Sequence, residues 1–280
     1  MTYSLVARDP ETGELGIAVQ SRSFGTGRVV PWAAAGVGAV ATQSFSDPSY
    51  GPLGLELLRG GTAPDEALAQ LLERDRLRDF RQVAFVDAQG RTASHTGAAC
   101  IPASGALAGD GSSAQGNMLR SDEVWQAAAE GFVAGTGSLA ERLLAGLDAA
   151  EAAGGDFRGR QAGAILVVAA EGEGEIWGAR VADVRVDDHP EPLGELRRLL
   201  RIELATKRLG GASPESLDDE LERARDDGVA EDVRLYYAAL LTGKVDDAEG
   251  RRRLSQLEAQ DARWTIAYDA ALRMFELRDA

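Results

Sequence analysis

Strand hairpins alternate with pairs of helices up to about residue 186, and this order constrains the fold more than any other feature of the sequence. We predict strands at residues 3–8, 15–21, 37–44, 82–87, 91–96, 164–169 and 175–186. Short turns rich in Pro and Gly, such as residues 9–13, connect several of them. Because short connections join antiparallel strands, the pattern predicts antiparallel sheets.

The helices predicted between these strands come in two pairs. One pair covers residues 53–59 and a segment that begins near Pro64, and the other opens at Ser121 and at Ser138. Glu141 follows Ser138 at the spacing of a capping box. Each pair must bury an apolar face, so we expect an α+β fold, a four-layer αββα sandwich with helices outside two sheets. A three-layer arrangement around one sheet also satisfies the pattern.

From residue 192 onward the pattern is continuous helix, interrupted by residues 210–214, which include two glycines and a proline. We therefore divide the chain into a sandwich domain, residues 1–209, and a small C-terminal helical domain, residues 210–280. Residues 233–277 resemble a helical hairpin of the tetratricopeptide type. A single repeat cannot bury its own face, so we expect this hairpin to pack on the main domain or on a second chain, which favours a homo-oligomer.

Charge and hydropathy exclude several kinds of partner. The chain has 45 acidic and 30 basic residues, a net charge of −15 at neutral pH. Such a field repels phosphate backbones and anionic lipids, so we expect neither a nucleic acid nor a membrane partner. No apolar run is long enough to span a bilayer, and the N-terminus lacks the pattern of a signal peptide. We expect a soluble, cytoplasmic protein.

Cysteine and histidine are scarce, which limits the chemistry of any site. Cys100 is the single cysteine, and His95 and His189 are the two histidines. An internal disulfide and a thiolate-rich metal site are therefore excluded, and we expect no cofactor. Either histidine could serve a Ser-His-Asp triad and Cys100 could be a thiol nucleophile, but a hydrogen-bonded histidine and a buried small cysteine are the simpler interpretations.

Common catalytic motifs are absent from the sequence: it has no Gly-x-Ser-x-Gly elbow, no phosphate-binding loop and no His-Glu-x-x-His. Residues 36–41 fit a loose dinucleotide pattern, but no helix follows them, and close sheet packing explains their glycines. The segment with Asp183, Asp187, Asp188 and His189 would suit a hard cation. A metal-dependent enzyme that uses these residues is therefore a weaker alternative. The simpler interpretation of the segment is a solvated connection between a strand and a helix.

The remaining candidate is Thr2. Removal of Met1 would expose a threonine that carries both a hydroxyl group and a free α-amino group. The unperturbed pKa of an α-amino group is about 7.7–8.0, so this amine is partly neutral near pH 7 and can act as a base without a histidine. The alternative is that Thr2 merely begins a strand.

Five blocks of sequence, residues 1–10, 13–19, 36–43, 115–119 and 154–159, resemble the uncharacterised family called domain of unknown function 1028. The resemblance covers about residues 1–200. That family is similar to the N-terminal nucleophile (Ntn) hydrolases, which share the four-layer sandwich and cleave amide bonds with an N-terminal Thr, Ser or Cys. Some members carry a C-terminal helical segment described as peptidoglycan-binding, and residues beyond 210 are similar to it in composition.

The resemblance implies a catalytic set of four residues. It makes Thr2 the nucleophile and places Ser21 and Arg22, at the end of the second strand, where they orient the amine. It also implies that Asn117 supplies an oxyanion donor.

Three further residues are implied as substrate-binding groups. Gln43 ends the third strand and reaches the same cleft. Asp156 and Arg158 fix the site electrostatically or bind a substrate carboxylate through the guanidinium fork.

Two functions from different classes follow. The first is an Ntn-type hydrolase of a small amide or modified amino acid, with no metal. The second is a catalytically inert scaffold of the same fold, whose helical tail binds a partner or a fragment of peptidoglycan.

Overall fold

The structure is a computed structural model that describes residues 2–172 and 179–279. Within these residues it contains ten strands: β1 (Thr2–Arg8), β2 (Leu15–Ser21), β3 (Pro31–Ala34), β4 (Gly38–Ser44), β5 (Arg81–Asp87), β6 (Thr92–Thr96), β7 (Gly105–Gly109), β8 (Ser112–Asn117), β9 (Ala162–Val168) and β10 (Arg180–Val186). The predicted strand at 175–186 thus begins outside the described residues.

The same residues form nine α-helices: α1 (Tyr50–Arg59), α2 (Pro64–Arg74), α3 (Glu123–Ala134), α4 (Leu139–Ala152), α5 (Pro192–Gly210), α6 (Leu217–Asp226), α7 (Glu231–Gly243), α8 (Asp247–Glu258) and α9 (Arg263–Asp279). The chain divides into two compact units between Arg197 and Arg198. This division lies inside α5, whereas the boundary predicted from the sequence falls at the end of that helix.

The strands form two antiparallel sheets, as predicted. A six-stranded sheet has the order β10-β9-β2-β1-β8-β7, and a four-stranded sheet has the order β3-β4-β5-β6. Every strand pair in both sheets is antiparallel. β1 therefore lies in the interior of the larger sheet, between β2 and β8.

The two faces of β1 have different neighbours because successive side chains in a strand point to opposite sides. Val6 belongs to a buried cluster shared with the four-stranded sheet, where it joins Ala41 and Val86. Leu5 faces the other way and lies against Gly146 of α4. The two sheets thus share an apolar core, and α4 covers the opposite face of the larger sheet.

Each sheet is covered by one of the predicted helix pairs. Leu55 and Leu58 of α1 are buried with Phe85 of the four-stranded sheet, and α2 adds Leu68. α3 and α4 pack on each other and on β1, β2 and β8. The Ser138 side chain accepts a hydrogen bond from the Glu141 backbone N–H and completes the predicted capping box of α4.

The sequence patterns did not predict β3, β7 and β8. β8 has the sequence Ser-Ser-Ala-Gln-Gly-Asn and is buried along its whole length. It lacks the apolar alternation of a half-buried strand, and the side-chain N–H groups of Gln115 and Asn117 on it donate hydrogen bonds inside the protein. This missed strand carries Asn117.

The second unit consists of helices with two apolar clusters of their own. One includes Leu209, Leu217 and Val229, and the other lies among α7, α8 and α9 around Tyr268. Gly250 of α8 lies so close to Gly243 of α7 that a Cβ atom at Gly250 would come within 2.6 Å of the Gly243 Cα. In the described residues, no helix is both long enough and apolar enough to traverse a bilayer.

Candidate functional site

Thr2 lies at the start of β1, on the face that points toward the four-stranded sheet. Its side chain is buried, and its hydroxyl donates a hydrogen bond to Ser21 Oγ at 3.1 Å. Across the other edge of β1, Thr2 is paired with Asn117 of β8. Three polar residues from three adjacent strands therefore meet at one end of the space between the sheets.

Gln82 of β5 connects this end of the larger sheet to the smaller one. Its Oε1 accepts a hydrogen bond from Asn117 Nδ2 and another from Gln43 Nε2, each at 2.8 Å. Its Nε2 donates to the backbone carbonyl of Gly116 at 2.7 Å. Gln82 has no exposed surface, so its amide fixes the orientation of both neighbouring carboxamides.

Gln43 of β4 contacts the backbone of the candidate nucleophile itself. Its Nε2 donates to the Thr2 carbonyl at 3.2 Å, and its Oε1 accepts from Ser4 Oγ at 2.7 Å. Gln115 Nε2 in turn donates to Ser4 Oγ at 3.2 Å. The polar groups thus form one buried network that ties the two sheets together around Thr2.

The other face of β1 carries Tyr3, whose hydroxyl donates to Glu151 of α4 at 2.6 Å. Burial, together with the nearby Glu151 carboxylate, raises the pKa of Tyr3 well above its ordinary value. Tyr3 is therefore a neutral hydrogen-bond donor that fixes β1 against α4, and it takes no part in the network around Thr2.

Asp156 organises a second cluster directly beside the network. Its side chain has no exposed surface and accepts from the backbone N–H groups of Arg22, at 3.0 Å, and Arg158, at 2.9 Å. The Arg158 guanidinium also pairs with it at 3.0 Å. A bridge between Leu119 and Asp156 brings this loop to the end of β8. Asp156 thus fixes the chain immediately after Ser21.

The structure therefore brings the predicted residues into two adjacent groups. Thr2, Ser21, Gln43 and Asn117 belong to the buried network, and three residues form the cluster beside it: Arg22, Asp156 and Arg158.

Sequence reasoning missed three members of the network: Ser4, Gln82 and Gln115. For Ser4 and Gln82 the available signal was a polar residue inside an otherwise apolar strand. Gln82, for example, directly precedes Val83 and Ala84. Buried amides are rare unless they are hydrogen-bonded, so such a residue marks a polar interior.

The acidic segment considered for a cation does not form a ligand cluster. Asp183 pairs with Arg180, and Asp187 pairs with Arg28 and Arg185. Across residues 2–172 and 179–279, no group of three or more potential metal-ligating side chains comes together. These carboxylates are engaged with arginines on the surface.

The alternative nucleophile Cys100 and the two histidines all contact backbone groups of the fold. Cys100 is buried, and its thiol donates to the Arg81 carbonyl at 3.3 Å. His95 Nε2 lies 2.9 Å from the Arg78 carbonyl, and His189 Nδ1 accepts the backbone N–H of Glu191.

The chain belongs to the family of unknown function DUF1028, which matches residues 2–196. It is similar to the crystal structure of protein SPO2555 from Silicibacter pomeroyi, which is described under the same family, with 32% sequence identity and a TM-score of 0.65. The similarity covers 74% of this chain and 86% of that one. No functionally curated protein matches the sequence.

Proposed function

We propose that this protein is an amide hydrolase of the Ntn type, with Thr2 as its nucleophile. The observation that carries the proposal is the position of Thr2 at the end of an interior strand, with its hydroxyl bonded to Ser21 and Asn117 paired opposite. The proposal requires removal of whatever precedes Thr2, because only then is its α-amino group a free base.

The arrangement of layers supports this proposal. The sheets share one apolar core, α1 and α2 cover the smaller sheet, and α3 and α4 cover the larger one. That is the order of helix, sheet, sheet, helix in which Ntn hydrolases place their nucleophile. Fold similarity alone does not define chemistry, so the case depends on Thr2 and its neighbours.

The reaction that this site supports has two steps. The Thr2 Oγ attacks the amide carbonyl, the C–N bond breaks, and the hydroxyl proton passes through the α-amino group to the departing amine. Water then attacks the resulting ester, returns a proton to Thr2 and releases the acid. General-base assistance of this kind contributes roughly 10² to 10⁴ in rate.

Ser21 and Asn117 have distinct roles in the proposal. Ser21 holds the Thr2 hydroxyl in place through the bond at 3.1 Å. Asn117 has two N–H donors on its amide, one of which donates to Gln82. We assign the second to the oxyanion that forms during attack. Arg22, which directly follows Ser21, helps to orient the α-amino group of Thr2 in this proposal.

The proposed substrate-binding residues border the same region. Gln43 contacts the Thr2 carbonyl and belongs to the wall of the site. Asp156 holds the backbone of Arg22 and the side chain of Arg158. In this proposal these residues set the shape and charge around a small amide or a modified amino acid.

The test is intact mass analysis of the full chain before and after exposure to a β-lactone electrophile. We expect wild-type protein to begin at Thr2 and to gain one adduct. Thr2→Ser should also react because it keeps the hydroxyl and the amine, whereas Thr2→Ala should not react.

The exposed Thr12 provides a matched control, and Thr12→Ala should react as wild type does. Thermal unfolding of each variant confirms that it is folded. Equal labelling of Thr2→Ala and wild type, or an active protein with residues still attached before Thr2, would overturn the proposal.

The alternative is an inert scaffold whose helical unit binds a partner or a peptidoglycan fragment. The observation that favours it is a cavity of about 530 Å³ among α7, α8 and α9, where Lys244 lies 4.2 Å from the centre of the Phe275 ring. An unreactive Thr2, together with binding of muropeptides by the full chain, would select this alternative. A homo-oligomer is compatible with either function.

A further inference from the structure

A small cationic cavity lies beside the Asp156 cluster. It has a volume of about 400 Å³ and includes in its lining three arginines and one aspartate, Arg22, Arg158, Arg160 and Asp188, together with Gln161 and His189. This volume is within the range of about 300–1,000 Å³ that is typical of small-molecule sites. The local concentration of arginines contrasts with the net charge of −15 on the chain.

Two of the three arginines already have carboxylate partners. Arg158 pairs with the buried Asp156 at 3.0 Å, and Arg160 pairs with Glu191 at 2.7 Å. Within residues 2–172 and 179–279, Arg22 forms no ion pair, and its guanidinium donates to the neutral Gln161 Oε1 at 2.7 Å. Arg22 therefore contributes to the cavity a guanidinium that no carboxylate pairs with in the described residues.

Two contacts hold Arg22, one to its side chain and one to its backbone. Gln161 holds the side chain through Oε1, while Gln161 Nε2 donates to Asp188 Oδ1 at 2.9 Å. The Arg22 backbone N–H donates to Asp156. An arginine has five N–H donors, and Gln161 accepts only one of those on Arg22, so the guanidinium keeps a pair for a planar acceptor.

This cavity is connected to Thr2 through one residue. Gln161 N–H donates to the Ser21 carbonyl at 3.1 Å, and Ser21 Oγ accepts the Thr2 hydroxyl. Arg22 directly follows Ser21, the last residue of β2, in the chain. The cavity is therefore built on the same strand end that contacts the candidate nucleophile.

We propose that Arg22 is the carboxylate-binding residue of this site, and hence that the amide hydrolysed carries a carboxylate near the scissile bond, as an N-acyl amino acid does. This inference rests on the proposed function. It transfers to Arg22 the role that the sequence suggests for Arg158, because Asp156 already neutralises Arg158.

Direct binding tests the inference without turnover. The probes are N-acetylglycine and its neutral counterpart N-acetylglycinamide, titrated into the full chain with Thr2→Ala, which removes the nucleophile, and followed by ligand-observed NMR. We expect the carboxylate to bind the Thr2→Ala chain about tenfold more tightly than the amide, which corresponds to one charge-assisted bidentate contact. Arg22→Gln should remove this preference, and Arg22→Lys should retain part of it.

Arg76→Gln in the same Thr2→Ala chain is the matched control, since Arg76 is an exposed arginine outside the cavity, and we expect it to keep the carboxylate preference. Equal binding of the two probes to the Thr2→Ala chain, no binding of either, or a preference that survives when Arg22→Gln is added would each overturn the inference. Labelling of Thr2 by the β-lactone in the wild-type chain separates the inference from the proposed function. If the wild-type Thr2 does not react with the β-lactone but the carboxylate preference is present, the inference stands and the proposed hydrolase function fails. If Thr2 reacts but the preference is absent, the hydrolase function stands and this substrate class is wrong.

Discussion

The space between the two sheets has two halves that differ in chemistry although the same strands build both. The apolar half is lined by aliphatic side chains: Val6, Ile17, Ala39, Ala41, Ala84 and Val86. The polar half is lined by hydroxyl and amide side chains: Thr2, Ser4, Ser21, Gln43, Gln82, Gln115 and Asn117. Along β5, for example, the change occurs between Gln82 and Ala84.

The difference shows how one sheet interface can serve stability and orientation together. Aliphatic contacts are favourable in proportion to buried area and have little directional preference. Buried amides are costly unless they are hydrogen-bonded, and their bonds fix the directions of the groups that make them. The apolar half therefore stabilises the contact between the sheets, and the polar half determines how Thr2 and Asn117 are presented.

The largest effect on stability should come from the apolar half. Ile17→Ala should lower the free energy of unfolding by about 4 kcal/mol, because it leaves a cavity in a fully buried cluster. Ile17→Val, with a smaller cavity, should cost about 1 kcal/mol. Denaturant unfolding measures both values. In the folded fraction of both variants, we expect the β-lactone to label Thr2 as it does in wild type. A loss of labelling in folded protein would show that the apolar half also determines how Thr2 is presented.

Gln82→Leu should have a smaller effect on stability and a larger one on reactivity. We expect a loss of about 3 kcal/mol, since the change leaves the buried donors of Gln43 and Asn117 without their acceptor. Labelling of Thr2 in folded protein should also fall because Asn117 loses its orientation. The matched control is Gln89→Leu at the exposed turn after β5. Normal reactivity in Gln82→Leu would mean that the polar half is purely structural.

The smallest expected effect concerns the ion pair that flanks the polar half. Hydrogen bonding from Arg81, the neighbour of Gln82, lowers the pKa of Asp75 below its ordinary value. A carboxyl group with a lowered pKa in the folded state stabilises the protein above its unfolded pKa, and this contribution disappears as pH falls through the folded value.

Wild type should therefore be more stable than Asp75→Asn near neutral pH, and the difference should shrink as pH falls below about 4. Urea unfolding at several pH values measures it. Asp79→Asn, at an exposed aspartate on the same connection, is the control and should show little difference. A gap between wild type and Asp75→Asn that is constant with pH would show that the charge of Asp75 is irrelevant.

Local features of the fold were accessible from the sequence. β2 has the predicted bounds, and α4 begins directly after Ser138 because its cap depends on groups three residues apart. β8 was not accessible, since its polar sequence becomes a strand only where β1 and β7 lie on either side of it.

The candidate site shows the same limit. Thr2 is recognisable from the chemistry of an N-terminal threonine, and its expected neighbours come from the family resemblance. Gln82 is separated from Asn117 by 35 positions along the chain and contacts it only because two sheets face each other. The spacing of residues along the chain does not predict a contact of this kind.

The sequence by itself determined the alternation of hairpins and helix pairs, the cap of α4 and the family, because these depend on side chains a few positions apart or on ordered blocks. The tertiary structure alone decided that one end of the sheet interface is polar, that Asp156 neutralises Arg158, and that the Arg22 guanidinium has no carboxylate partner among the described residues. These properties depend on which distant strands and loops meet, and pairing over such distances is set by packing of the whole unit.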